Sequence, residues 1–116
     1  DENLLQMHIF PCENGDEFPK NQYTKWFDYD KIKGTLSLRH RQPGDYLTLP
    51  SGGRKTLKSW MIDEKIPRQE REQIWLLAEE KHILWIVGHR ISAYYKITEQ
   101  TKTILEVEFN GGKSSG

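Results

Sequence analysis

Residues 74–87 read Ile74-Trp75-Leu76-Leu77-Ala78, then Glu79-Glu80-Lys81, then His82-Ile83-Leu84-Trp85-Ile86-Val87. Two apolar runs of strand length are joined by a charged turn, and Gly88 ends the second. This is the strongest hairpin signal in the chain and is apolar enough to be the centre of its core. Upstream, Thr35–Arg41 alternates, with Leu36 and Leu38 on one face and Ser37, Arg39 and Arg41 on the other, the period of two expected of a half-buried strand. Gln42-Pro43-Gly44-Asp45 is a turn by composition. Tyr46–Leu49 resumes the alternation, which predicts a hairpin between these two strands.

After the loop Pro50-Ser51-Gly52-Gly53, residues 54–64 read as a helix ending near Pro67. At 100° per residue, Leu57, Trp60 and Met61 form its apolar stripe while Arg54, Lys55 and Lys58 cluster on a neighbouring face. Lys65 joins that face if the turn continues. A second short helix is expected from Pro67 to Gln73, with Arg68 and Arg71 on one side. Strands are further expected at Leu4–Phe10, Lys25–Asp30 and Thr103–Phe109, a loop at 13–22 opened by Pro11 and Asn14-Gly15-Asp16, and a flexible tail from Gly111. Residues 90–96 fit a helical turn or an extended stretch equally. The fold class is α+β: a small single domain of mixed and antiparallel sheet layers with two short helices.

With 116 residues, the chain suits one domain burying roughly 65% of its unfolded surface. Four Trp, five Tyr and four Phe argue against disorder, although the apolar share is only 35%. The net charge of zero hides an uneven distribution: residues 1–38 hold 4 basic and 7 acidic side chains, residues 39–96 hold 11 and 7, and residues 97–116 hold 2 and 3. The middle block is therefore the functional candidate. A single cysteine, Cys12, excludes an internal disulfide and a cysteine-based zinc cage and suggests a reducing compartment. Nothing reads as a spanning helix or signal peptide. The start at Asp1 without Met suggests a piece of a longer protein.

Catalytic patterns are missing. Ser51-Gly52-Gly53 begins like a phosphate-cradling loop but lacks the Gly-Lys-Ser/Thr that a Walker loop needs, and Lys55 stands where an adenylating loop needs Asp. The four histidines, His8, His40, His82 and His89, have no metal-ligand spacing. Asp63-Glu64 and Glu79-Glu80 are placed as solvated charges. What remains is a basic surface of Arg39, Arg41, Arg54, Lys55, Lys58, Lys65, Arg68 and Arg71, suited to phosphates along folded RNA. Tyr46, Trp60 or Tyr94 could stack on bases, core packing being the competing role, above all for Trp60.

The order of these motifs resembles the C-terminal domain of bacterial tRNA(Ile)-lysidine synthetases. The resemblance covers residues 26–96, from Trp26-Phe27-Asp28 through Arg39-His40-Arg41-Gln42-Pro43-Gly44-Asp45, Lys55-Thr56-Leu57-Lys58 and Lys65-Ile66-Pro67-Arg68 with Arg71, to Gly88-His89-Arg90. His40 and Tyr46 stand where basic residues are expected. The resemblance implies an α+β fold related to a module of the phenylalanyl-tRNA synthetase β chain. It also implies a bacterial, cytoplasmic parent that uses ATP, with magnesium, to adenylate the wobble cytidine of tRNA(Ile) and join lysine to it, changing CAU decoding from methionine to isoleucine. Catalysis and ATP then belong to an N-terminal domain, and this chain has no catalytic set, no cofactor and no metal of its own. Residues 1–25 lead into a tRNA-binding domain over 26–110 that grips the acceptor stem, with Arg90 bracing the basic surface. The partners are the tRNA acceptor stem and the N-terminal domain of the same chain, with a homodimer left open and no membrane. The alternative is a protein-interaction module that docks through the stripe of Leu57, Trp60 and Met61. A small hydrolase using a histidine and a carboxylate has little behind it.

Overall fold

A computed structural model describes residues 4–13, 15 and 17–111. Among them the elements run β1 (Leu5–Pro11), β2 (Thr24–Asp28), β3 (Leu36–Arg39), β4 (Tyr46–Thr48), β5 (Arg54–Thr56), α1 (Leu57–Asp63), α2 (Arg68–Arg71), β6 (Leu76–Glu79), β7 (His82–Ile86), β8 (Arg90–Ile91) and β9 (Thr103–Phe109), with 3-10 turns at Tyr29–Lys31 and Ala93–Tyr95. The chain divides into two compact units, Asp1–Ile32 with Tyr95–Gly116, and Lys33–Tyr94. Asn14, Asp16 and residues 112–116, read as part of a loop and as a tail, lie outside the described residues.

The first unit is a three-stranded antiparallel sheet in the order β1-β9-β2. The central strand β9 matches the expected bounds and alternates buried Leu105, Val107 and Phe109 with half-exposed Glu106 and Glu108. Its register sets Ile9 and Phe27 on either side of Leu105, so β1 and β2 belong to one sheet, and the boundary expected between residues 25 and 26 falls within β2. On the other face Trp26 packs against Phe10 and Phe18, each at 5.5 Å, and its indole N–H donates to Glu106 at 3.0 Å. Buried Asp28 accepts from Asp30 N–H and from the Thr101 hydroxyl at 2.9 Å, fixing the turn that follows β2.

The second unit is built around the hairpin of residues 74–87. Its sheet runs β3-β6-β7-β4-β5, with β8 paired to β7. The β6–β7 register carries one irregularity beside Leu77: Leu77 faces Trp85 but Ala78 faces Ile83, leaving Leu84 as the extra residue. That bulge decides the packing. Strict alternation would send Ile83 and Ile86 to opposite faces, whereas the extra residue places both with Leu76 and Ala78. Those four join Leu47, Leu57, Trp60, Met61 and Ile66 in one buried cluster that seats α1 on the sheet.

Three expectations are corrected. The hairpin between β3 and β4 does not form, because β3 pairs with β6 and β4 pairs with β5 and, in parallel through Tyr46 and His82, with β7. The helix expected over 54–64 starts only at Leu57, since Arg54–Thr56 pair with Tyr46–Thr48 as β5, and the Thr56 hydroxyl caps the helix by accepting from Ser59 N–H at 3.1 Å. The helix stops at Asp63 in a Schellman turn: Ile66 N–H donates to Met61 C=O and Lys65 N–H to Ile62 C=O, with Lys65 at φ 59°. Lys65 therefore does not continue the helical face. The open choice at residues 90–96 resolves into β8 followed by a 3-10 turn.

Candidate nucleic-acid interface

The Lys33–Tyr94 unit holds 11 basic and 7 acidic side chains, so the charge excess seen in sequence maps onto one structural unit. Its chemistry centres on the turn between β3 and β4. Pro43 and Gly44 occupy the middle of that turn, Gly44 at φ 89°, and Asp45 N–H donates to Gln42 C=O at 3.2 Å. This is the type II geometry that a Pro-Gly pair favours. The Asp45 carboxylate then closes a buckle. It accepts Arg39 Nη1 and Nη2, both at 2.9 Å, and Gln42 N–H at 2.8 Å, while the same guanidinium donates to the carbonyls of His40 and Glu80. The Asp45 side chain is 1% exposed and that of Arg39 17%. The Asp45 carbonyl accepts the Leu57 N–H at 2.8 Å, so turn and helix start are joined.

Between them lies a cleft of about 500 Å³ lined by residues 41–45, 56–58 and Glu72. Lys58 points from the first turn of α1 into this region and is exposed. Arg41 lines the opposite wall, bound to Glu72 through Nε at 2.8 Å and Nη2 at 2.7 Å. Lys65 lies on the exposed connection from α1 to α2, and Arg68 is the exposed first residue of α2. Among the described residues, Lys58, Lys65 and Arg68 have no carboxylate partner.

The other expected cations are placed differently. Arg39 keeps the face opposite Leu36 and Leu38 that alternation assigns it, but there it meets the Asp45 carboxylate and is only 17% exposed, where solvent or a ligand was expected. Arg71 donates through Nε to the Ile66 carbonyl at 2.8 Å and so ties down the α1–α2 turn. Lys55 is ion-paired with Asp63. Arg54 is separated from it, since Leu47 and its partner Lys55 face the core beneath α1 whereas Thr48 and its partner Arg54 face the opposite side of the sheet. Arg90 pairs with Ile86 in register and is exposed. Trp60, 4% exposed, is core, and Leu57 and Met61 are buried with it, so the stripe read as a docking face is already covered. The Ser51-Gly52-Gly53 segment is the β4–β5 turn, its backbone spent on Gly52 N–H to Leu49 C=O and Leu49 N–H to Gly53 C=O.

Sequence reasoning named Tyr46, Arg54, His82 and Tyr94 one by one but did not join them into one group. On the face away from α1, Arg54 lies over the Tyr46 ring at 4.2 Å, Tyr46 stacks on His82 at 4.6 Å, and His82 meets Tyr94 at 5.1 Å. Thr48 N–H donates to Ser92 Oγ at 3.0 Å, and His82 Nε2 lies 3.0 Å from the Thr48 hydroxyl and 3.3 Å from that of Ser92. Burial, and then the Arg54 charge, push the His82 imidazole below its usual value, with Glu79 opposing. No local sequence signal joins residues 46, 54, 82 and 94. His40, by contrast, stacks on Trp75 at 4.0 Å and donates to the Ile74 carbonyl, which explains how a non-basic residue is used there.

Over 106 residues the chain is 46% identical to a tRNA(Ile)-lysidine synthase of Caldanaerobacter subterraneus subsp. tengcongensis, covering 90% of this chain and 23% of that protein. Over 97 residues it is 41% identical to a tRNA(Ile)-lysidine synthase of Clostridium tetani, covering 83% and 21%. The chain thus spans about a quarter or less of the length of these curated relatives. A crystal structure of a TilS C-terminal domain superimposes with a TM-score of 0.64 at 27% identity, over 93% of this chain and 86% of that one. The family model described as the TilS substrate C-terminal domain matches residues 36–108, from the start of β3 almost to the end of β9, and the chain belongs to that family.

Proposed function

We propose that this chain is the RNA-gripping C-terminal part of a tRNA(Ile)-lysidine synthase and that its substrate contact is the acceptor stem of tRNA(Ile). The observation that carries this reading is a set of cations with no carboxylate partner among the described residues: Lys58, on the cleft beside the turn braced by the buried Arg39–Asp45 pair, and Lys65 and Arg68 along the exposed segment from α1 into α2. Cations without carboxylate partners bind phosphate without first breaking an ion pair, and a fixed turn sets their register on a duplex. Arg41 and Lys55 join by exchanging exposed carboxylates for phosphates, Arg54 and Arg90 extend the basic surface, and Arg39 and Arg71 position the others. The binding part is residues 26–110. In this reading the parent joins lysine to the wobble cytidine in the bacterial cytoplasm, and ATP with its magnesium ion belongs to an N-terminal domain.

Titrating the chain with a tRNA(Ile) transcript and with an acceptor-stem hairpin tests the proposal. Lys58, Lys65 and Arg68 alone contribute about −2.7 to the slope of log affinity on log salt, so raising salt from about 50 to 200 mM weakens binding by roughly 40-fold or more. Salt-independent binding, or none at low salt, refutes it.

A further inference from the structure

Two carboxylates line the cleft beside the β3–β4 turn, although a surface that takes up phosphate gains nothing from negative charge. Asp45 is neutralised and fixed, since its side chain is 1% exposed and accepts both terminal nitrogens of Arg39. Glu72 has no such fixed place. It caps the C-terminal end of α2, its side chain is 64% exposed, and its Oε2 accepts Arg41 Nε at 2.8 Å and Nη2 at 2.7 Å.

Three arginines around this cleft differ in what holds them. Arg39 and Arg71 donate to groups that cannot leave, a buried carboxylate and main-chain carbonyls. Arg41 donates to a side chain that can. Among the described residues the Glu72 carboxylate accepts from Arg41 alone, so rotation about the Glu72 side-chain torsions releases Arg41 and breaks no other hydrogen bond. The main chain beside it stays in place meanwhile, because the preceding Arg71 is tied to the Ile66 carbonyl. The donors that Glu72 occupies are the Nε–Nη2 edge, the parallel pair with which a guanidinium binds carboxylate or phosphate oxygens. With Glu72 seated, Lys58 is the one cation lining the cleft without a carboxylate partner among the described residues; with Glu72 withdrawn, Arg41 joins it.

We propose that Glu72 is a placeholder for phosphate: its carboxylate holds the seat on Arg41 that a backbone phosphate of the bound RNA takes over, and RNA binding at this point is an exchange of one anion for another. The inference rests on the proposed RNA-binding function and deepens it by naming the contact that restrains the cleft before the ligand arrives.

The test titrates the acceptor-stem hairpin at low salt against the chain, its Glu72→Gln and Arg41→Gln variants, the double variant, and Glu70→Gln. Glu70 is exposed on the same short helix and lies outside the cleft lining, so its replacement removes one charge without releasing Arg41. Tryptophan emission checks that each variant is folded. Glu72→Gln should bind about 1.5- to 5-fold tighter, the span of an exposed ion pair that no longer has to be broken. Glu70→Gln should gain less. In the Arg41→Gln background, Glu72→Gln should add no more than Glu70→Gln does in the unaltered chain. Binding by Glu72→Gln equal to or weaker than that of the unaltered chain, a gain matched by Glu70→Gln, or a gain kept in full without Arg41 overturns the placeholder while salt-sensitive binding of the unaltered chain leaves the function standing. Failure of the unaltered chain to bind the hairpin at low salt overturns both.

Discussion

Replacing Asp45 by Asn keeps the shape of the side chain and removes its charge, which makes it the sharpest perturbation of the turn beside the cleft. The carboxylate accepts three hydrogen bonds at 2.8–2.9 Å from Arg39 and Gln42 and is 1% exposed. An Asn can keep one oxygen in place, but its amide N–H₂ then faces an Arg39 N–H, donor against donor. Removing one partner of a buried ion pair costs about 3–5 kcal/mol. Arg39 retains the carbonyls of His40 and Glu80 and some solvent contact, which argues for the lower end, about 3 kcal/mol. The comparison is Asp63→Asn, which breaks the Lys55 pair at exposures of 27% and 54% and should cost less than about 1 kcal/mol. Urea unfolding followed by tryptophan fluorescence reads both. A thermal scan should show a fall of roughly 12 °C for Asp45→Asn. An Arg39→Met/Asp45→Asn cycle should return a coupling of about 2 kcal/mol or more. A loss under about 1 kcal/mol, or one equal to that of Asp63→Asn, refutes the assignment of the buckle as the brace of the turn.

Other consequences are as direct. Changing Lys58, Lys65 and Arg68 together to Ala should flatten the salt slope of RNA binding by about 2.7 without altering the unfolding free energy by more than about 0.5 kcal/mol, as read by filter binding and urea denaturation. Thr56→Ala removes the helix cap and should cost about 1 kcal/mol of stability. Lys65→Gly should gain up to about 1 kcal/mol, because φ 59° suits glycine, while weakening RNA binding, so stability and affinity move in opposite directions. His82 stays neutral in the folded chain to a lower pH than in the unfolded chain, so the unfolded state takes up the proton first. Stability should be full above the ordinary value near 6.5 and fall as pH drops below it, and His82→Gln should shrink that fall in urea midpoints measured between pH 7.5 and 5.

What could be read from sequence follows from the range of the interaction concerned. The β6–β7 hairpin and β9 were legible because alternation and a polar turn are local, and the Pro43-Gly44 turn because two adjacent residues specify it. The pairing of β3 with β6 was not, since Leu38 and Leu77 find each other across an intervening turn, loop and helix pair. The start of α1 was misplaced by three residues because Arg54 and Lys55 also fit the helical period, and only their pairing with Leu47 and Thr48 makes them strand. Thr56, a good capping residue, was the local clue. The basic block was visible as charge, but its division among Asp45-bound Arg39, carbonyl-bound Arg71 and Lys58, which has no carboxylate partner among the described residues, depends on distances that composition does not carry.

Lys65 brings conformation and function into one position. The Schellman turn after α1 needs a residue at positive φ, and glycine adopts that conformation without the clash that a Cβ introduces. The chain places a lysine there at φ 59° and follows it with Ile66, 8% exposed, whose burial holds the turn closed. A strained residue persists where its surroundings fix it, and here both the Ile66 side chain and the Arg71 bond to the Ile66 carbonyl do so. The side chain itself contributes nothing to that closure: it is exposed and has no carboxylate partner among the described residues. A cost of about 1 kcal/mol in folding is thus set against a positive charge carried on the turn between the two helices. That exchange makes sense if the charge meets a partner outside the chain, and in the proposed function the partner is a phosphate.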